Sequence, residues 1–283
     1  MDRVFDRFGP LEPETPVIVS VPHAGRIYPA AMANLARQSH DQLRVLEDRF
    51  VDRLASGAAA AGHQVIIAQI ARGWIDLNRD EREIDADMVA GNVGKTIHSA
   101  KVRGGLGLIP RRTAAGGDIW RGRLTIADVA ARINQCFTPY HTQLESMMAA
   151  AHDRFGIAVL FDLHSMPPPA NRRDAAVAHL VVGDLHGRST GQRFTSRLID
   201  EARTAGFRTA LNVPYAGGYT LARHGQPAAG RHAVQLEVGR QLYLDQSLDQ
   251  CGAGAVAIGR LVTRLANALA DESLVGQAPL AAE

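Results

Sequence analysis

Two histidines close short apolar runs: His23 follows VIVSV in VIVSVPHAG, and His164 ends AVLFDLHS. Two neutral imidazoles joined by one carboxylate form a catalytic zinc set that leaves a fourth position open for water. The third donor would come from Glu47 or Asp48, neighbours in a stretch of helical periodicity, since a helix packed on a sheet can present one of them inward. Spacing alone leaves both open. Asp162 lies two residues before His164, on the same face of a strand, where a carboxylate can orient an imidazole from behind or simply cap a loop. Glu237 stands in QLEV among Val234, Leu236 and Val238, an apolar setting in which an acid is costly to bury. It reads either as a salt-bridge partner of Arg240 or as a general base that takes a proton from water and passes it to a leaving nitrogen. In WIDLNRD, Asn78 and Arg79 place an amide beside a guanidinium whose planar fork suits a substrate carboxylate, against a simple pairing of Arg79 with Asp80 or Glu83.

These side chains need elements to bring them together. Apolar runs at residues 17–21, 65–70, 158–163, 179–182 and 233–238 predict buried strands, and helical periodicity covers residues 41–61, 125–155, 191–205 and 253–270. Strands alternating with helices imply an α/β fold, a sandwich of helices around a largely parallel sheet. Such sheets bind ligands beyond the carboxyl ends of their strands, which is where His23, His164 and Glu237 fall. Residues 91–123 are rich in glycine and lack a clear period, which predicts a long functional loop or lid carrying Arg111 and Arg112. A shorter stretch, ANRRD after the prolines that begin at Pro167, reads as exposed. No repeat or linker divides the chain, so a single domain is expected over residues 1–272, with a loose tail at 273–283.

Composition narrows the classes further. The chain has 283 residues, a net charge of +2 and 46% hydrophobic residues, enough to bury roughly 75% of its unfolded surface without a structural staple. Of its 31 basic residues only Lys95 and Lys101 are lysines, and the 29 arginines are interspersed with acids rather than clustered, which argues against nucleic acid as a partner. Cys136 and Cys251 share no C-x-x-C spacing, so neither a disulfide framework nor a thiolate site is expected. No apolar run approaches the roughly 20 residues of a membrane span and the start lacks a signal peptide's apolar stretch, so a cytoplasmic protein with no membrane partner is expected.

The motifs SVPHAGRIYP, WIDLNRD, PYHTQLESMM, VLFDLHSMP, NVPYAGGYT and QLEVGRQLY, with GLGLIPRR before IWRGRLT, resemble in that order the N-formylglutamate amidohydrolase family. The resemblance spans residues 17–243. It implies a three-layer α/β/α sandwich around a mixed sheet, the phosphorylase/hydrolase-like arrangement of zinc carboxypeptidases. It further implies a zinc hydrolase acting on N-formyl-L-glutamate, in histidine breakdown. His23 and His164 would then be zinc ligands and Glu237 would activate the water. Because Arg26 occupies the position three residues after His23 where carboxypeptidases carry a glutamate, the third ligand would come from further along, in LEDRFVDRL, with Asp48 preferred to Glu47 because it matches the aspartate that precedes Trp or Ile-Gly in relatives. Asn78 and Arg79 would hold the substrate carboxylate, with Arg111, Arg112, Tyr215, Gly217 and Gly218 as further contacts to an acidic N-acyl amino acid.

Three alternatives remain at this level. One is a zinc hydrolase of other specificity, carboxypeptidase-like or acting on other N-acyl amino acids. Another is a non-catalytic protein that binds an acidic amino acid. A serine nucleophile is disfavoured because no G-x-S-x-G elbow occurs.

Overall fold

A computed structural model describes residues 3–113, 117–168 and 178–275. Its centre is a seven-stranded sheet of β1 (Phe5–Phe8), β2 (Val17–Val21), β3 (Gln64–Ala68), β4 (Ala158–Met166), β5 (Leu180–Gly183), β6 (Thr209–Leu211) and β7 (Arg231–Gly239). The strand order is β1-β3-β2-β4-β7-β5-β6. β3, β2, β4 and β7 run parallel at the centre, β1 is antiparallel to β3, and β5 is antiparallel to β7 while parallel to β6. The sheet is therefore mixed and largely parallel.

The central strands are buried on both faces, which is why they read as unbroken apolar runs rather than alternating ones. Their side chains nevertheless alternate between two cores. Val17, Val19, Val21, Val159, Phe161 and Leu163 meet one helical layer, formed by α1 (Val51–Ala60), α3 (Gln192–Thr204) and α5 (Ala255–Leu274). Ile18, Ile66, Ala158 and Leu160 meet the other layer, formed by α2 (Thr138–Phe155), α4 (Tyr219–His224) and the glycine-rich segment. This is the α/β/α sandwich. Phe161 is fully buried, and truncating such a side chain to alanine typically costs about 3–5 kcal/mol.

Three expected elements take a different form. The 41–61 stretch is not one helix: it consists of His40–Leu43, a 3-10 turn Arg44–Leu46, an extended Glu47, a left-handed Phe50 at φ 58°, and then α1. The 125–155 stretch begins at a Thr125 capping box and passes through a π turn at Ile133–Phe137 before α2. α5 extends to Leu274, so Ser273, buried and bonded to the Leu269 carbonyl, belongs to the helix rather than to a tail.

The glycine-rich segment is no detached flap. Leu108, Ile109, Ile119 and Trp120 are buried in the second core, and Arg132 is stacked between Trp74 and Trp120 with its guanidinium 3.6 and 4.5 Å from their ring centres. The ANRRD stretch lies outside the described residues. Among the described residues no helix is long and apolar enough to cross a membrane.

Candidate active site

The parallel strands deliver their carboxyl ends to one edge of the sheet, and the candidate residues meet there. His23 lies two residues past β2, His164 and Glu237 are register partners on β4 and β7, and the loop after β3 supplies Arg72, Asp76, Asn78 and Arg79. His164 Nδ1 is 3.1 Å from His23 Nδ1 and 3.2 Å from Asp48 Oδ2, and His23 Nδ1 is 3.5 Å from the same oxygen. All three side chains are buried, and their donor atoms lie within 4.8 Å of one another.

The helix break at residues 47–50 makes this possible. Asp48 N–H donates to the His23 carbonyl at 2.9 Å, which ties its backbone to the histidine loop. Arg240 donates to Asp48 Oδ1 at 3.1 Å and to the Glu47 carbonyl at 2.7 Å, leaving Asp48 Oδ2 facing the imidazoles. Glu47 turns the other way: it accepts from the Tyr28 hydroxyl and from Arg49 at 2.8 Å. The structure thus brings Asp48 to the two histidines and keeps Glu47 from them. Arg240 pairs with Asp48, not with Glu237.

Each imidazole is held from behind by a carboxylate. His164 Nε2–H donates to Asp162 Oδ2 at 2.8 Å, and His23 Nε2–H donates to Asp76 Oδ1 at 2.8 Å. Asp162 is in turn bonded to Ser20 Oγ at 2.7 Å, which lies 3.0 Å from the Tyr140 hydroxyl. Asp76 accepts from Arg72 Nε at 2.8 Å and from Asn78 N–H at 2.9 Å. With both Nε2 atoms donating to carboxylates, both Nδ1 atoms point at Asp48 Oδ2. Three electron-rich atoms facing one another call for a cation among them, and two imidazole nitrogens with one carboxylate oxygen are a donor set suited to zinc.

Charge in the cluster follows the same logic. Burial opposes ionisation of Asp48, but the facing imidazoles of His164 and His23 outweigh it and hold the carboxyl well below its usual range. Burial disfavours a charged His164, yet Asp162 and Asp48 raise its pKa well above that of free imidazole. For Asp76, the cations Arg72 and Arg79 overcome burial and keep it ionised. Glu237 behaves oppositely: burial raises its carboxyl to about 7, and among the described residues its side chain accepts only from Gln235, at 3.1 Å.

A cavity of about 400 Å³ opens over these groups, a size suited to a small ligand. Its lining includes His23, Asp48, His164 and Glu237, four cations, Arg72, Arg79, Lys101 and Arg240, and also Asn78, Tyr215, Gly217 and Gly218. Asn78 is fixed because its Oδ1 accepts from Thr220 N–H at 2.9 Å, leaving Nδ2 3.4 Å from His164 Nε2. Gly218 packs so tightly on that amide that a Cβ there would meet Asn78 Oδ1 and come within 2.7 Å of its Cγ.

Arg111 and Arg112, expected as substrate contacts, lie outside the cavity lining. Arg111 pairs with Asp85 at 2.8 Å, and Arg112 faces Asp118 at 3.5 Å on an exposed stretch. The cavity lining instead includes Arg72 and Lys101, which, like Asp76, are not among the candidates legible in the sequence. One signal was available: Arg72 and Asp76 stand four residues apart just after a strand, at the edge where ligands bind.

Residues 15–244 match the family model described as N-formylglutamate amidohydrolase, and the chain belongs to that family. It is 29% identical over 238 residues to the N-formylglutamate deformylase of Pseudomonas aeruginosa, covering 82% of this chain and 83% of that protein. It is 27% identical over 239 residues to the N-formylglutamate deformylase of Pseudomonas putida, with the same coverage. The crystal structure of N-formylglutamate amidohydrolase from Ralstonia eutropha JMP134 superposes with a TM-score of 0.88 at 31% identity, over 95% of this chain and 97% of that one.

Proposed function

We propose that this protein is a zinc-dependent amidohydrolase that cleaves N-formyl-L-glutamate to formate and L-glutamate. The observation that carries the reading is the convergence of His23, Asp48 and His164 beside Glu237, in a cavity lined by more cations than carboxylates. Family membership and the two deformylase relatives support the same substrate.

His23, Asp48 and His164 would hold the metal, with Asp76 and Asp162 orienting the imidazoles. When bound, zinc supplies Lewis acidity to the formyl carbonyl and makes a water easier to deprotonate. Asn78 and Arg79 hold the α-carboxylate, placing the amide over the histidines. Glu237 takes the proton of the attacking water and delivers it to the departing nitrogen, a task suited to a group titrating near neutrality. Arg72, anchored through Nε to Asp76, faces the cavity as the cation for the oxygen that gains charge in the transition state.

The test is metal analysis of wild type beside His164→Ala, with formate release from N-formyl-L-glutamate measured with and without a chelator. About one zinc per chain, lost in the variant, with chelator-sensitive formate release is the expected result. No metal uptake after reconstitution overturns the mechanism; metal with faster turnover of N-acetyl-L-glutamate or a peptide overturns the substrate.

A further inference from the structure

The cations of the cavity are not equivalent. Arg72 donates to Asp76, Arg79 donates to the carbonyls of Leu106 at 2.9 Å and Asn78 at 2.6 Å, and Arg240 donates to Asp48, Ser165 and the Glu47 carbonyl. Among the described residues, Lys101 alone of the four has neither a hydrogen-bond acceptor nor an ion-pair partner. Its backbone is well held: Ser99 Oγ caps the turn Ala100–Arg103 by accepting from Val102 N–H at 3.2 Å, and Val102 is buried. The side chain is therefore presented to the cavity from a fixed base. Lys101 is exposed, and desolvation with the nearby guanidiniums of Arg79 and Arg72 pushes its ammonium's pKa down, against a smaller opposing pull from Asp76 and Glu237.

Pairing separates the role of Lys101 from that of Arg79. An α-carboxylate shares its carbon with the scissile nitrogen, so its holder must stand next to the reacting centre, as Asn78 does at 3.4 Å from His164. A glutamate side chain carries its own carboxylate two methylenes further out. Lys101, like Asn78 and Arg79, lines both the cavity and an adjoining space of about 480 Å³ that touches none of His23, Asp48, His164 or Glu237. Of these three, Lys101 alone brings to that outer carboxylate a side chain without a partner among the described residues.

We propose that Lys101 is the specificity-determining residue of this site, its ammonium binding the side-chain carboxylate of the N-formyl amino acid while Asn78 and Arg79 hold the α-carboxylate. This rests on the deformylase reading. An unpaired cation is least favourable when the cavity is filled by a neutral side chain and best satisfied by a carboxylate, so Lys101 selects acidic over isosteric amide substrates.

The test compares zinc-loaded full-length wild type, Lys101→Met and Lys101→Arg on N-formyl-L-glutamate and N-formyl-L-glutamine, which share a shape and differ in charge. One charged hydrogen bond corresponds to about a 10- to 100-fold effect. Lys101→Met should therefore lose about that factor in kcat/KM on the glutamate substrate, mainly through KM, with the glutamine substrate nearly unchanged and Lys101→Arg retaining most of the preference. Equal losses on both substrates, or no loss on either, overturn the assignment. Wild type that releases formate from neither substrate overturns the deformylase reading instead. Titration of L-glutamate and L-glutamine then decides the role of Lys101 separately: a loss of affinity in Lys101→Met confined to glutamate supports it, and no selective loss overturns it.

Discussion

His164 and Glu237 are register partners on adjacent parallel strands, so a donor of the histidine cluster and the buried acid beside it are set by one ladder of backbone hydrogen bonds. No loop stands between them to relax if one is changed. Glu237→Gln keeps the size and the Gln235 contact but removes the proton acceptor. It should retain metal and fold while kcat falls about 10²- to 10⁴-fold. Metal content and formate release on the same preparation check this, and near-normal turnover would remove Glu237 from the role of base.

Asp76 joins His23 to the loop that carries Asn78, because one of its oxygens accepts from both. Asp76→Asn should weaken metal binding about 10- to 100-fold by loosening His23. Competition against a chelator of known affinity measures it. Unchanged affinity would mean that Asp76 serves only Arg72 and the loop.

Acid should destabilise the fold through buried histidines away from the site. His141 is buried beside His224, donating to the Leu77 carbonyl at 2.8 Å and lying 3.0 Å from His224, and burial with that neighbour pushes its pKa down to about 3. His232, pushed down to about 4 by burial and Arg193, acts in the same direction. Below pH 6.5 the unfolded chain takes up these protons first, so stability present above that pH is lost as pH falls towards about 3. The urea midpoint should drop between pH 7 and pH 5, and by less in His141→Gln. An equal drop in that variant would assign the effect to other groups.

Gly218 adopts an extended backbone, φ −135°, that alanine tolerates, so the effect of Gly218→Ala is one of contact alone. The added methyl must displace Asn78, whose amide bridges Thr220 and the neighbourhood of His164. A fall of about 10- to 100-fold in kcat/KM with little change in melting temperature is expected, since misplacement by an ångström suffices for such a loss. A thermal shift without a kinetic one would make Gly218 a packing residue only.

Some of the site was legible in one dimension because the chemistry lies close to regular elements. His164 and Glu237 close strands whose apolar runs are plain in the sequence, Asp162 shares a strand face with His164, and Asn78 and Arg79 follow a strand. The choice between Glu47 and Asp48 was not legible from phase, because helical periodicity runs through a segment that the chain breaks. A left-handed Phe50 and a bond from Asp48 N–H to His23 make that break, and both depend on distant neighbours.

By itself the sequence determined the α/β sandwich, the strand-end placement of the histidines and Glu237, and the family, because apolar period and motif order are properties of neighbouring residues. Only the tertiary structure decided which carboxylates stand behind the imidazoles. It also decided that Lys101 and Arg72 line the cavity, while Arg111 and Arg112 pair elsewhere with Asp85 and Asp118. Charged side chains are assigned by what lies within a few ångströms in space, and electrostatic partners such as Arg49 and the Asp249 carbonyl, 200 residues apart, leave no periodic trace along the chain.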